Sequence, residues 1–354
     1  MNFMPSGRTT IGIIANPASA RDIRRVVAGA GSLQIADRVN IIMRMIATAV
    51  SLGVERVLVM PDRGGICAMI ARQLNSSPQA LEPRLPVEFL DMQPTSTVRD
   101  TFQAARMMCE AGVSAIAVLG GDGTHRAVVR ELMGTERIVP IIALSTGTNN
   151  AFPELRESTI AGIAAALYAT ARVDADQALV PNKLLEVCVN QGQRRDVALV
   201  DVVVSVDGHT GARAIWSTEQ IKSLYLSFAD PEVIGLSSIG GLLHPVGRRE
   251  PGGLALWMNA APGRPAVSLR APIVPGRLCE VAVSRFEAMP AGRPYLVAQR
   301  GGMIALDGER EFAFEEGDRV EVTLREDAFY TVDVAKSLAY AARQGLLRSA
   351  KTSD

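Results

Sequence analysis

Over the first 175 residues, short β-rich runs alternate with longer segments of helical period. The apolar runs 11–15, 57–60 and 115–119 are typical of buried strands. Strict alternation of strands and helices predicts a parallel sheet, because each helix carries the chain back across the sheet to the start of the next strand. Further strands are predicted over 87–90 and 138–144, and helices over 39–50, 66–74, 98–109, 127–133 and 159–171.

After about residue 180 the apolar repeat changes from helical to twofold. Leu185, Val187 and Val189 alternate with other residues, and the run 197–206 is predicted to return beside them as a β-hairpin. The pair Asp307-Gly308 lies between two further β-rich runs and strongly favours a type I′ turn. The second half of the chain is therefore predicted to be mostly β.

Two helical segments interrupt or follow this β region, near 214–225 and over 334–347. We expect an α/β N-terminal domain with a parallel layered sheet, a mostly-β C-terminal domain, and a C-terminal helix that returns to the first domain. The predicted boundaries are 1–175, 176–330 and 331–354.

Composition limits the partners and the compartment. The chain has 37 Lys and Arg against 37 Asp and Glu, which argues against a nucleic-acid partner. Residues 1–10 lack the apolar core of a signal peptide, and the longest apolar stretch, 160–171, is shorter than the ~20 residues that span a bilayer. We expect a cytoplasmic protein with no membrane partner. Its four cysteines are expected to be buried, reduced thiols.

A glycine-rich segment, Gly120-Gly121-Asp122-Gly123-Thr124, follows a predicted strand and opens a helix. The glycines let the backbone approach a ligand closely, and a helix N-terminus favours phosphate. In such a loop Asp122 is either a general base, a carboxylate on the Mg²⁺ side of a phosphate, or a simple helix cap.

A second polar loop, 145–150, follows the next strand. Ligands of open parallel sheets bind outside the carboxyl ends of the strands, so the two loops are expected to form one site. The sequence has no G-x-x-x-x-G-K-[ST] motif, and Arg126 stands where G-x-G-x-x-G requires its third glycine. A P-loop enzyme is therefore excluded and a standard dehydrogenase is disfavoured.

These motifs resemble those of the superfamily that joins NAD kinases, diacylglycerol kinases and sphingosine kinases. Residues 120–124 resemble its GGDGT signature, 16–19 its opening NP-x-S turn, and 147–152 its third glycine loop. Residues 12–25 and the overall length resemble an ATP-NAD kinase-like branch that is linked to acetoin catabolism. The resemblance implies an active site between two domains, phosphoryl transfer from ATP with Mg²⁺, and a homo-oligomer.

The resemblance also implies site residues. Asp122 matches the aspartate that activates the acceptor hydroxyl in NAD kinases, and Glu309 matches the proposed base in the D-G-E motif of lipid kinases. No residue is assigned directly to a metal; Mg²⁺ is expected with the nucleotide, and Asp122 is the candidate contact. The expected nucleotide contacts are Asn16, Ser19, Gly120, Gly121, Gly123, Thr124, Thr146, Gly147, Thr148, Asn149, Asn150, Ser238 and Gly240.

Two departures from the motifs of the superfamily leave the identity of the phosphoryl acceptor open. Val200-Asp201 stands where NAD kinases have an Asn-Glu pair, and Thr148-Asn149-Asn150 stands where lipid kinases have Gly-Asn-Asp. The favoured function is ATP-dependent phosphorylation of a small-molecule hydroxyl, with NAD as the preferred acceptor. The alternatives are a non-catalytic NAD(H)- or ATP-binding sensor of an acetoin pathway, and a lipid kinase.

Overall fold

The computed structural model describes residues 8–17, 33–76, 85–147, 150–206, 220–258 and 267–348, with only the backbone described for 309–311. Short apolar runs form the parallel strands in the N-terminal part of the chain. These strands are β1 (Thr10–Ala15), β2 (Arg56–Val59), β3 (Val87–Phe89), β4 (Ala115–Gly120) and β5 (Ile141–Ser145). They lie in the order β3-β2-β1-β4-β5, and every neighbouring pair is parallel, as predicted.

Helices connect these strands. They are α1 (Ile35–Ser51), α2 (Ile66–Ser76), α3 (Val98–Glu110), α4 (Asp122–Leu132) and, after β5, α5 (Ser158–Ala169). Helix α1 buries Val39, Ile42 and Ile46 at the predicted helical spacing. Helix α4 begins at the glycine-rich segment, as predicted, but earlier than the range 127–133 given by the apolar repeat, because its polar first turn at Asp122 carries no such repeat.

Strands from the second half of the chain extend the same sheet. They are β6 (Leu179–Val189), β7 (Arg194–Ala198), β13 (Pro294–Leu296) and β16 (Val320–Val332), with the short helix α6 (Ala175–Ala178) before β6. Strand β16 pairs in parallel with β5 and antiparallel with β6. The mixed sheet therefore joins both halves of the chain.

A second, antiparallel sheet lies beyond it. Its strands are β8 (Asp201–Ser205), β9 (Ile221–Leu226), β10 (Gly253–Met258), β11 (Val267–Val274), β12 (Arg277–Met289), β14 (Gly302–Leu306) and β15 (Glu309–Phe314), and helix α7 (Ser237–Leu243) packs on β11. The order is β11-β12-β10-β9-β8-β14-β15. The predicted single strand 197–206 is in fact two strands, because the chain leaves the first sheet after β7 and enters the second at β8.

The helical prediction near 214–225 is wrong for its described part. Residues 221–226 form β9, while 214–219 lie outside the described residues. Ile221, Leu224 and Tyr225 mimic helical spacing because β9 is buried on both faces and so lacks twofold alternation.

Two other predictions are confirmed. Asp307 and Gly308 both have positive φ, 51° and 77°, and Leu306 pairs with Glu309 across the turn, as a type I′ hairpin requires. The final helix, α8 (Val334–Gln344), returns to pack on α5 and α6 and ends at the left-handed residue Gly345.

In the parts of the chain that the structure describes, the helices are too short or too polar to cross a membrane. All four cysteines are free thiols, but the expectation that they are buried is correct only for Cys109; the other three are partly exposed. Burial and the nearby Asp62 carboxylate raise the pKa of Cys67 to about 12, so this thiol stays protonated.

Candidate functional site

The site lies where the order of the parallel strands reverses, between β1 and β4. Ala15 pairs with Leu119, and Gly120 pairs with Ser145, so the ends of β1, β4 and β5 lie in one row. The backbone N–H of Thr146 donates to the Gly120 carbonyl at 3.3 Å. The structure thus brings the two predicted loops together at the edge where open α/β sheets bind ligands.

The first glycine of the loop is required by packing. A Cβ atom on Gly120 would lie 2.6 Å from both Cβ and Oγ1 of Thr124, which is buried directly above it. Gly121 is the N-cap residue of α4, with an extended backbone. The loop therefore turns directly into a helix whose N-terminus faces the edge of the sheet.

The Asp122 side chain reaches across to the neighbouring loop. Its Oδ2 accepts the backbone N–H of Ala151 at 3.0 Å, and its Oδ1 accepts that of Phe152 at 2.8 Å. These two N–H donors fix the orientation of the carboxylate. The carboxylate is partly exposed, so a ligand can reach it.

The same peptide segment is held from its other side by Arg248. Its Nη1 donates to the Phe152 carbonyl at 2.7 Å, its Nη2 donates to the Ala151 carbonyl, and its guanidinium lies 4.9 Å from the centre of the Phe228 ring. The backbone N–H groups of residues 151–152 thus donate to Asp122, and their backbone carbonyls accept from Arg248. Nothing in the local sequence around Arg248 indicates this role.

A buried lysine anchors the loop that carries Arg248. Lys183 Nζ donates to the carbonyls of Gly247 at 3.0 Å, Glu250 at 2.7 Å and Gly252 at 2.7 Å. Burial lowers the pKa of Lys183 to about 8. Lys183 lies near the middle of β6, and no local sequence pattern indicates this contact.

The predicted opening turn is engaged in packing. Asn16 Nδ2 donates to the Thr97 carbonyl at 3.1 Å and to Thr101 Oγ1 at 3.0 Å, which ties the end of β1 to α3. Ser19 lies outside the described residues.

The loop after β5 is braced by its own side chains. Ser145 Oγ donates to the Gly147 carbonyl at 2.6 Å, and Asn150 Nδ2 donates to Ser145 Oγ at 2.6 Å. Thr146 is buried beside Gly120. Thr148 and Asn149 lie outside the described residues.

A second acidic group, Asp307, stands close to the first. Its Oδ1 accepts the N–H of Val200 at 2.8 Å and of Asp201 at 3.3 Å, and its Oδ2 accepts that of Leu199 at 3.1 Å. Burial, with the carboxylates of Asp201 and Asp122, raises the pKa of Asp307 to about 8, although the Arg126 guanidinium opposes this shift.

The hairpin turn is also closed by Asp201, whose Oδ1 accepts the N–H of Gly308 at 3.2 Å. The backbone of Glu309 follows directly in β15, while its side chain lies outside the described part of the chain. The D-G-E motif is therefore located next to the Gly-rich loop, and the function of Glu309 stays a prediction.

His125 is fully buried below the glycine loop. Its Nδ1 lies 2.8 Å from the Gly121 carbonyl and its Nε2 lies 3.1 Å from the Val118 carbonyl. Burial lowers the pKa of His125 to about 4, so the ring is neutral near pH 7. Its edge-to-face contact with Phe152, at 5.8 Å between ring centres, makes it a support of the site.

Ser238 and Gly240 lie in α7, away from the row of strand ends. Ser238 Oγ donates to the Gly235 carbonyl at 2.6 Å, and Gly240 packs where a Cβ atom would collide with Leu226. Both residues are buried, and their assignment to nucleotide binding stays a prediction. Among the residues that the structure describes, no group of three or more His, Cys, Asp or Glu could hold a metal ion.

Comparisons with known proteins found matches to both parts of the chain. Residues 11–172 match the ATP-NAD kinase N-terminal domain, and residues 183–327 match the acetoin catabolism protein X C-terminal domain. Acetoin catabolism protein X of Cupriavidus necator is 57% identical over 343 residues, which cover 96% of this chain and 94% of that protein. The chain belongs to the acetoin catabolism protein X family. The resemblance to the NAD kinase superfamily is thereby confirmed.

Solved structures with a similar fold were also found. Yeast NADH kinase in complex with NADH has a TM-score of 0.48 and 13% identity, covering 99% of this chain and 91% of that one. A diacylglycerol kinase from Bacillus anthracis str. Sterne has a TM-score of 0.40 and 12% identity, covering 91% of this chain and 96% of that one.

Proposed function

We propose that this protein transfers the γ-phosphoryl group of MgATP to a hydroxyl of a small molecule in the cytoplasm, with NAD as the preferred acceptor and NADP and ADP as products. The observation that carries the proposal is the position of Asp122. It opens helix α4 at the reversal of strand order, and two backbone amides of the adjacent loop fix its carboxylate.

The glycine loop supports the nucleotide half of this proposal. The N-terminus of α4 supplies a positive dipole end, and Gly120 and Thr146 bring two strand ends close together. Phosphoryl transfer depends on positioning and charge neutralisation more than on covalent help from the protein. We place the triphosphate at this edge, with Mg²⁺ bound to it as part of the substrate.

Asp122 then acts as the proton acceptor. The acceptor oxygen forms a bond to the γ-phosphorus, the bond from that phosphorus to the bridging oxygen of ADP breaks, and the hydroxyl proton passes to the Asp122 carboxylate. The two backbone N–H bonds to Asp122 orient the carboxylate before the reaction. Glu309 is the second candidate for this base.

The acceptor is the least constrained part of the proposal. Val200 and Asp201, which replace the Asn-Glu pair of NAD kinases, are buried, and Asp201 binds the backbone of Gly308. Acceptor recognition must therefore differ from that of NAD kinases. The adjacent Asp307-Gly308 turn supports a lipid acceptor as an alternative, because the D-G-E motif of lipid kinases has the same sequence.

A second candidate function is a non-catalytic sensor of NAD(H) or ATP. It is favoured by the engagement of both Asp122 oxygens with backbone amides, which would suit a carboxylate whose only role is to hold a binding loop. A link to acetoin degradation, carried by the printed name of the relative, belongs equally to either function.

The test is ADP release from MgATP with NAD, NADH, small diols or lipid vesicles as acceptor. It compares the wild type with Asp122→Asn, Glu309→Gln and the exposed control Asp91→Asn. We expect turnover with NAD that is lost in Asp122→Asn and kept in Asp91→Asn. Nucleotide binding without turnover for any acceptor would contradict the kinase and support the sensor.

A further inference from the structure

Arg126, which stands where the G-x-G-x-x-G motif requires its third glycine, is buried at a junction of several elements of the fold. Arg126 follows Asp122 by one helical turn on α4 and is buried, with 8% of its surface exposed. Its Nε lies 3.7 Å from Asp307 Oδ2, and its Nη1 lies 3.6 Å from Asp196 Oδ1. One buried cation therefore faces two buried carboxyl groups from different parts of the chain.

Those two carboxyl groups belong to two different sheets. Asp196 lies on β7 of the first sheet, where it also contacts Arg130 Nη1 at 3.1 Å. Asp307 forms the turn between β14 and β15 of the second sheet, and it accepts the N–H groups of 199–201, where the chain crosses between the sheets. Arg126 thus contacts the point at which helix, crossover and hairpin meet.

We infer that Arg126 is a positioning residue that holds the Asp307-Gly308 turn, and with it the start of β15 at Glu309, against the helix that carries Asp122. The inference rests on the proposed function for its kinetic consequence alone. Its structural part is independent: Arg126 is buried between Asp307 and Asp196, and its removal leaves these buried polar groups without the partner that they face, so the turn and the crossover would separate from α4.

The guanidinium suits this task better than an ammonium group. Its planar fork spreads the charge in two directions, so one side chain lies within ion-pair distance of both Asp307 and Asp196. A lysine at this position keeps the charge but reaches one carboxyl group at a time. Arg126→Lys is therefore expected to recover part of what Arg126→Met loses.

The experiment uses the full chain and four proteins: wild type, Arg126→Met, Arg126→Lys and Arg130→Met. The last is a matched control, because Arg130 lies on the same helix and contacts the same Asp196 but has a half-exposed side chain. The readouts are hydrogen exchange of the backbone amides at 199–201 and 307–309, MgATP binding, and kcat and KM with the preferred acceptor.

In Arg126→Met we expect roughly tenfold faster exchange at both segments, a kcat lowered by roughly tenfold, and a KM for MgATP within about threefold of the wild type. Arg126→Lys should give exchange rates and a kcat between those of Arg126→Met and the wild type. Arg130→Met should stay within about threefold of the wild type in every readout.

Unchanged exchange at both segments in Arg126→Met would overturn the inference. Faster exchange throughout the protein, with no recovery in Arg126→Lys, would also overturn it, since that pattern marks a general loss of stability. If the wild type itself shows no turnover with any acceptor, the proposed function fails, and the exchange pattern of Arg126→Met against Arg130→Met still decides the role of Arg126.

Discussion

Asp122 and Asp307 are both held by backbone amides, yet their surroundings differ in the property that matters for chemistry. Asp122 accepts two N–H groups and is partly exposed at the edge of the parallel sheet. Asp307 accepts three and is buried between the sheets. The same kind of anchoring thus leaves one carboxylate able to meet a substrate and makes the other a structural junction.

The largest expected effect is on activity, and it distinguishes Asp122 from Asp307. Asp122→Asn removes the proposed proton acceptor, so we expect kcat to fall by about 100-fold or more, the usual scale for loss of a general base. Urea denaturation should show a much smaller change in its free energy of unfolding than for Asp307→Asn. Retention of near-normal turnover in Asp122→Asn would move the base to Glu309.

The converse effect is on stability. Asp307→Asn keeps the residue's tolerance for its φ of 51° but places an amide NH₂ against backbone N–H donors, so at least one buried donor loses its partner. We expect the free energy of unfolding at about pH 6 to fall by roughly 2–3 kcal/mol. The exposed Asp91→Asn should change it by less than about 0.5 kcal/mol.

The pH dependence of stability tests the burial of Asp307 directly. Its pKa is raised from 3.8 to about 8, so the folded state holds a proton that the unfolded state has released. Its contribution to stability is full below about pH 4 and is lost as pH rises through about 8. The charged groups around Asp307 are Arg126 and Asp122 on α4, Asp201 on β8, and Asp196, which lies on the other side of Arg126.

Between about pH 6.5 and 8 we expect the wild type to lose stability on the order of 1 kcal/mol, and Asp307→Asn to lose little. His125 contributes little to the change in stability between pH 6.5 and 8. Its pKa is lowered from 6.5 to about 4, so its contribution is lost only as pH falls from about 6.5 towards 4. Equal slopes above pH 6.5 in the two proteins would show that Asp307 is ionised throughout.

The smallest effect concerns the anchor of Asp122. Arg248→Met removes the donors to the carbonyls of residues 151–152, so the segment that orients Asp122 gains freedom. We expect kcat to fall by about 3–10-fold with little change in stability. Its neighbour Arg249, an exposed residue that pairs with Asp333, provides the control as Arg249→Met, which should leave kcat within about twofold.

The parallel half of the fold could be predicted because its strands and helices have distinct apolar periods, and the Asp307-Gly308 turn could be predicted because few residues accept positive φ. Strand β9 could not, because a strand buried on both faces lacks alternation. Lys183, Arg248 and the junction at Arg126 act through contacts between residues far apart in sequence, which no local pattern encodes.

The most direct test of the central claim is transfer of a labelled γ-phosphoryl group from ATP to NAD, measured in a single turnover beside MgATP binding. We expect labelled NADP from the wild type; Asp122→Asn should bind MgATP equally well, within about threefold, but form labelled NADP at least about 100-fold more slowly. MgATP binding by both proteins with no labelled acceptor from either would contradict the assignment of Asp122 as the base of a kinase.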